Sequence, residues 1–453
     1  MTKDLTVGSP LKLIITFAIP MIVGNLFQQL YNLVDSIVVG QFIGKNALAA
    51  VSSAYTVMVF VTSVIIGLCM GASVLFSQLF GAGELEKLKR AITTSFIFTL
   101  GVTVCMMAGT LIGIESIIRF MNIPPELYSD TKIYLQIIFL GLIFTFLYNA
   151  ISSLLRALGD SKTPLYFLIL AAILNIILDL IFVLVCDMGV KGVAIATLIA
   201  QGVAAVLCIL YSIKKLSILH MTKQDMVFDR TLFGIIARYS ILTSIQQSIM
   251  NFGILLVQGL VNSFGTVAMA AFGAAVKIDG FAYMPVQDFG NAFSTYVAQN
   301  KGAKEEGRIH EGIKCTVKLI CIFCFIISVV VVLFAKELML IFINPKEYEV
   351  LAIGIGYLRV IAPFYVLIGF LFMFYGLYRG LGTVKISIIL TIISLGTRVI
   401  LAYLLAAMPK IGLVGIWWAG TVCMTNTIIQ KISMRIIRTG LKMRMRHGTN
   451  GML

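Results

Sequence analysis

The amino-acid sequence predicts an all-α polytopic membrane protein: twelve transmembrane helices in two six-helix lobes related by a pseudo-two-fold axis along the membrane normal. Three observations predict it. The 453 residues are 59% hydrophobic and only 12% charged, and the mean hydropathy is +1.01, which excludes a soluble globule. Long stretches carry no charge: 24 residues between Arg90 and Glu115, 23 between Lys132 and Arg156, 22 between Lys191 and Lys214. About 20 apolar residues in a helix cross the hydrocarbon core. Finally, the chain is written twice. Gly44-x-x-Ala47-x-Ala49-Ala50 returns as Gly265-x-x-Ala268-x-Ala270-Ala271, and Gln78-x-x-Gly81-Ala82 as Gln299-x-x-Gly302-Ala303, both 221 residues later. At an offset of 223, Arg156-Ala-Leu-Gly159 returns as Arg379-Gly-Leu-Gly382, and Gly189-x-x-Gly192 as Gly412-x-x-Gly415.

In chain order the spans fall at about 13–38, 46–79, 92–118, 133–155, 164–186 and 192–213, then 234–261, 267–299, 314–335, 350–378, 386–408 and 412–434. The second and eighth are long enough to project from the bilayer or to tilt. Met1 to Pro10 is polar and no small-residue cleavage site follows the first apolar segment, so that segment reads as a span and not as a signal peptide. Six spans per copy is an even number, which makes the copies parallel repeats, and such repeats place their working site between them. The domains are then residues 1–212, a first lobe; 213–232, a cytoplasmic connector; 233–436, a second lobe; and 437–453, a basic cytoplasmic tail.

Charge fixes orientation. The formal net charge of +15 is spread over loops, with 24 lysines and arginines on the side that holds both termini and 7 on the other. That asymmetry predicts cytoplasmic termini in a cell membrane and argues against a nucleic-acid partner. The eight cysteines are scattered and Cys321-x-x-Cys324 lies in an apolar span without a histidine nearby, so neither disulfides, metal nor a cofactor is expected. No Gly-x-x-x-x-Gly-Lys-[Ser/Thr] motif is present, so the energy source is an ion gradient or a partner. The turns at Gly81-Ala82-Gly83 and Gly302-Ala303-Lys304 read as helix-ending glycines.

Ionisable groups inside spans are costly and point to function. They are Asp35, Asp179, Lys277, Asp279, Asp288, Arg359 and Arg398. Gln28, Tyr31 and Asp35 share one helix face, as do Asn175 and Asp179, four apart. Desolvation favours the neutral form of such a carboxyl and hydrogen bonds favour the anion, the poise a proton or alkali-cation site needs. Lys277 and Asp279 are two apart, on different faces. Asp288 follows Pro285, which should kink or loosen its helix. Arg398 lies mid-span and needs an anionic partner. No nucleophile–base set supports an enzyme.

These residues resemble a known family. Pro20, Gln28, Asn32 and Asp35, then Val39-Gly40, Gly44 and Leu48-Ala49-Ala50, are similar to the opening of multidrug and toxic compound extrusion (MATE) transporters. Arg156-Ala-Leu-Gly159-Asp160 with Pro164, Pro285, and Gln299-Asn300-x-Gly302-Ala303 extend the resemblance over about residues 10–435. It implies a central cavity and export of amphipathic, often cationic compounds against entering protons or sodium ions. The first-lobe polar cluster of some members is met by Tyr31, Asp35, Tyr134, Asn149, Asn175, Asp179 and Thr197. Coupling acids that other members carry in the seventh and tenth helices have no counterpart: Arg238 to Lys277 offers Gln246 and Gln247 instead, and Arg359 to Arg379 holds no acid. The expected second-lobe cavity residues are Lys277, Asp279, Asp288, Gln246 and Arg398. The reading is a monomeric, ion-coupled multidrug antiporter, with a proton ahead of sodium. Its alternative is a lipid-linked glycan flippase of the same superfamily, which the second-half bases favour.

Overall fold

The computed structural model describes residues 3–121, 123–222 and 225–424, and the described secondary structure is helical. The expected tail 437–453 and the end of the twelfth span lie outside the described residues. Helix α1 (Pro10–Val38) opens on a proline at its first position, where the missing N–H is no loss. Helix α2 (Lys45–Gly81) follows Gly44, whose φ of +119° suits glycine. Then come α3 (Leu85–Ile112), α4 (Ile114–Phe120), α5 (Pro125–Leu140), α6 (Leu142–Ala157), α7 (Lys162–Leu180) and α8 (Gly189–Lys215). After the connector come α9 (Arg230–Asn262), α10 (Thr266–Gly302), α11 (Glu306–Leu333) and α12 (Ala335–Leu340). The last are α13 (Tyr348–Ile361), α14 (Tyr365–Gly380), α15 (Val384–Ala406) and α16 (Leu413–Met424).

Among the described residues ten helical segments are long and apolar enough to span a membrane. The pair α5 and α6, bent by 42°, makes an eleventh, and apolar α16 stands where the twelfth is expected. The tenth span is α13 and α14 joined through Ala362–Phe364, a break that Pro363 accounts for by removing a backbone donor. Helix α10 instead runs unbroken through Pro285 for 37 residues, and α2 has the same length.

The chain packs as two compact units. One comprises Met1–Phe252, Gln287–Leu319 and Gly376–Ile388; the other comprises Gly253–Val286, Ile320–Tyr375 and Ile389 onward. The first unit therefore contains segments of both repeats, and its hydrogen bonds show why. Gln78 of the first copy donates to Gly380 O in the second-copy loop, at 2.9 Å, while Gln299 of the second copy donates to Ala157 O in the first-copy loop, at 2.8 Å. A Cβ on Gly81 would lie 2.7 Å from the Gln299 carbonyl carbon, and one on Gly302 would lie 2.8 Å from that of Gln78. The repeated Gln-x-x-Gly motif is thus a reciprocal crossing of α2 and α10. Both glycines do end their helices, as expected, and the crossing gives them a second role. Gly83 does turn the chain after α2 with φ +72°, but Lys304 does so after α10 with φ +61°, and Gly81 and Gly302 are small so that two backbones can touch.

Two further contacts join the copies in this unit. Gly67 and Gly71 on α2 lie against the backbone of Ser244 and Ser240 on α9, and those serines donate to Val64 O and Leu68 O at 2.9 and 2.8 Å. The segment before α1 is the other tie. Lys3 N–H donates to Leu158 O and Leu5 N–H to Gln299 Oε1, while Asn300 and Arg308 donate back to Leu5 O. The Leu5 side chain is 1% exposed.

Candidate functional site

Four helices of the first unit, α1, α5, α7 and α8, build the first-half cluster. Asp35 projects from α1 and is half-buried, whereas Asp179 on α7 is wholly buried. Their carboxyls lie close enough to interact with each other. Tyr31, held by Gln28, and Tyr134 on α5 flank Asp35, as the sequence leads one to expect. Asn175, one turn before Asp179, donates to Thr197 Oγ1 on α8 at 3.4 Å. Asn149 is the exception. Its amide donates to Thr145 O on its own helix α6 at 2.8 Å, and no hydrogen bond brings it to the carboxyls.

The acceptors outnumber the donors here. Asp35 Oδ1, both Asp179 carboxylate oxygens and Asn175 Oδ1 are buried atoms without a hydrogen-bond partner among the described residues. Buried polar atoms left unpaired each cost about 1–3 kcal/mol, so this concentration is unusual. Backbone irregularity coincides with it. Helix α1 passes into a π-helical turn at Val39–Ile43, and α7 into another at Ile181–Val185. Each begins within a few residues of its aspartate, and the two turns touch. Such turns are rare and recur at functional sites, because the widened ladder frees backbone groups and eases bending. Behind them Val38, Val39, Leu135, Phe139, Phe146 and Val193 form a buried apolar wall.

The second-half candidates divide. In the first unit Gln246 is 2% exposed and accepts from Ser387 at 3.1 Å, an inter-helix lock of α9 with α15. Asp288, 1% exposed, accepts from Asn25 of α1 at 2.7 Å. Near it Arg379 donates to Asn291 Oδ1 at 2.6 Å and to Ser294 Oγ at 3.2 Å. In the second unit Asp279 accepts from Tyr357 at 3.2 Å and lies near Tyr365 and Arg398. Lys277 is exposed, with its ammonium 5.8 Å from the centre of the Phe342 ring. These five residues therefore do not form one cluster; only Asp279 and Arg398 are neighbours.

The MatE family model matches residues 20–181 and 240–404, one segment in each repeat. The chain belongs to the MatE family. Similar members include the "Probable multidrug resistance protein YpnP" of Bacillus subtilis strain 168, 31% identical over 391 residues, which is 86% of this chain and 87% of that one. The "Probable multidrug resistance protein NorM" of Thermotoga maritima is 26% identical over 412 residues, 90% of this chain and 88% of that one. Among solved structures, the "Crystal structure of MATE in complex with MaD3S" superposes with a TM-score of 0.90 at 26% identity, covering 97% of this chain and 98% of that one. The MATE fold of twelve helices in two six-helix lobes is accordingly the fold of this chain, and its class is that of multidrug efflux transporters.

Several participants in this MATE chain escape a reading of single motifs. Tyr55, which adjoins Tyr31 and Tyr134, sits in no polar stripe. The π-helical turns have no sequence signature. Asn25 is an amide two helical turns before Asn32, and only the structure shows its acidic partner. Tyr357 was findable: a 223-residue offset lays it on Tyr134.

Proposed function

We propose that the chain is a secondary active exporter of amphipathic, often cationic small molecules, driven by protons or sodium ions, with Asp35 and Asp179 holding the coupling ion. The observation that carries this reading is the first-half cluster of four acceptor oxygens that lack a hydrogen-bond partner among the described residues, with no base among them. Two ionised carboxylates about 4 Å apart repel by about 4 kcal/mol at an effective dielectric of 20. One shared proton removes that repulsion and turns an acceptor pair into a donor and an acceptor. A proton needs no cage of ligands, which favours it over sodium; Asn175 Oδ1, a further free oxygen, is what favours sodium.

Coupling follows if ion and substrate differ in affinity for the inward-facing and outward-facing states. Asp35 and Asp179 stand beside two π-helical turns, so loading the ion changes the electrostatics at the most deformable part of α1 and α7. The names of the relatives support multidrug substrates, and the bias of lysine and arginine toward one side supports a multi-pass plasma-membrane protein with both termini in the cytoplasm. The test is transport of a fluorescent organic cation into inside-out vesicles with proton and sodium gradients imposed separately. A gradient of one ion should drive uptake, and Asp35→Asn or Asp179→Asn should abolish it. Uptake indifferent to both gradients, or intact in both variants, would overturn the reading.

A further inference from the structure

The second half holds an ionic cluster that this function leaves unused. Asp279 on α10, Tyr357 on α13, Tyr365 on α14 and Arg398 on α15 converge within one compact unit. The Tyr357 hydroxyl donates to Asp279 Oδ2 at 3.2 Å, and Tyr365 and Arg398 both lie within interaction range of the same carboxylate. Yet Asp279 Oδ1, the Tyr365 hydroxyl and Arg398 Nε are buried atoms without a hydrogen-bond partner among the described residues. Nor do the charges close on each other. The ion pairs among the described residues are Lys87–Glu84, Lys89–Asp225 and Lys132–Glu115, so Asp279 and Arg398 form an open pair. Each residue as a whole is half-buried.

The frame around this pair is rigid. Tyr357 is 1% exposed. Its ring meets Phe272 and Trp417 edge-on at 5.5 and 4.8 Å, and those two rings stack at 5.5 Å. The internal repeat shows what has changed. At an offset of 223 residues, Tyr357 falls on Tyr134, Arg398 on Asn175 and Gly420 on Thr197. In the first half Asn175 bonds to the Thr197 hydroxyl. In the second half Gly420 has no side chain to bond to Arg398; a Cβ there would stand 3.9 Å from Arg398 Nε, an ordinary contact, and 3.1 Å from Ile361 Cδ1. The corresponding pocket has two carboxylates and no base in the first copy, but one carboxylate and one guanidinium in the second.

We propose that Asp279 and Arg398, held apart beside Tyr357 and Tyr365, form a subsite for amphoteric small molecules, Asp279 taking a cationic nitrogen and Arg398 a carboxylate. A simple organic cation would meet Arg398, and a simple anion would meet Asp279. A compound with both groups satisfies both partners, and the guanidinium fork suits a carboxylate. The inference rests on the exporter reading and narrows its substrate class.

A rhodamine free acid, with a carboxylate beside its cationic ring, and its methyl ester, a cation on the same ring system, are matched probes. Binding of each to the purified full-length protein in nanodiscs is read by fluorescence polarisation. Arg398→Gln should weaken the free acid about tenfold or more, the loss of a charge-assisted contact, and should not weaken the ester, which loses a like-charge neighbour. Arg398→Lys, which keeps the charge, should hold the free acid within a few-fold of the parent. If Arg398→Gln does not fold, the double variant Asp279→Asn/Arg398→Gln, which leaves no unpaired charge, serves the same comparison. Equal losses for both dyes, no loss for either, or no binding of the free acid by the parent protein would overturn the subsite. Gradient-driven transport of the ester separates the two readings: if it persists while free-acid binding ignores Arg398, only the subsite fails, and if no gradient moves the ester, the exporter reading fails.

Discussion

Replacing Gly302 by alanine should force apart the crossing of α2 and α10. A Cβ on Gly302 comes within 2.8 Å of the Gln78 carbonyl carbon and 3.0 Å of Ala82 N, with Gln78 O nearer still. Ordinary contact begins at 3.4 Å, so two backbones must part by more than half an ångström, and neither has a rotamer to swing away. Overpacking of this kind costs about 1–3 kcal/mol. The same shift stretches the Gln78 bond to Gly380 O and the Lys301 bond to Leu381 O, each worth about 1 kcal/mol. Loss of both bonds would bring the total to about 3–5 kcal/mol. The assay is thermal melting of the detergent-purified variant beside Gly101→Ala, a control on α3 where a Cβ meets nothing within 4 Å. That control should be neutral or more stable by about 0.5–1 kcal/mol. Gly81→Ala should resemble Gly302→Ala. The double variant should lose less than the two single losses together, because the first alanine opens the gap for both. Melting of Gly302→Ala together with the control, or strict additivity in the double variant, would refute the reciprocal crossing.

Other outcomes follow from named contacts. Asn25→Ala removes the 2.7 Å donor from buried Asp288 and should cost about 1.5–3 kcal/mol; a double-mutant cycle with Asp288→Ala that shows no coupling would contradict this. Asn175→Leu replaces a buried amide whose Oδ1 has no partner, so melting should hold or rise by about 1 kcal/mol while gradient-driven transport falls. A drop in both would mark Asn175 as structural only. In the connector, the Thr222 N–H and hydroxyl, with the Lys89 ammonium, hold the Asp225 carboxyl below the usual carboxylate range. A depressed value stabilises the folded connector above the ordinary carboxylate pKa of about 3.9, and that contribution is lost as pH falls through the lowered value. Protease resistance of the connector should therefore be flat from neutral pH down to about 5 and fall only in stronger acid; a loss near pH 6 would point to another group.

The fold was largely legible because its signals are long. A span needs a run of some 20 apolar residues, and a duplication repeats its turn residues at fixed offsets, so neither depends on fine geometry. Asp35, Asp179 and their neighbours were legible for a related reason: a carboxyl or amide in a hydrocarbon-crossing helix is rare and must be explained. What sequence could not show was pairing in space. Gln246 and Asp279 look equally polar in their spans, yet one locks two helices through Ser387 and the other stands beside an open guanidinium. Asn149 fits the family pattern by position, but its amide turns back to Thr145, a choice of rotamer that no spacing encodes. Gly81 and Gly302 were readable as helix ends, which they are, but that each also admits another backbone depends on a partner that spacing does not show.

The reciprocal contact of Gln78 and Gly302 with Gln299 and Gly81 has an evolutionary and a practical consequence. Each copy offers the same glutamine and the same glycine, and each receives its twin's. A face that recognises a copy of itself is the isologous interface of a two-fold homodimer. The contacting faces are therefore supplied by the repeats themselves, and the linker fixes their ratio at one to one. Once two halves are joined in one chain, each is free to change its buried charges, two carboxyls without a base in one and a carboxyl beside a guanidinium in the other, without loss of the symmetric handshake that holds the pair.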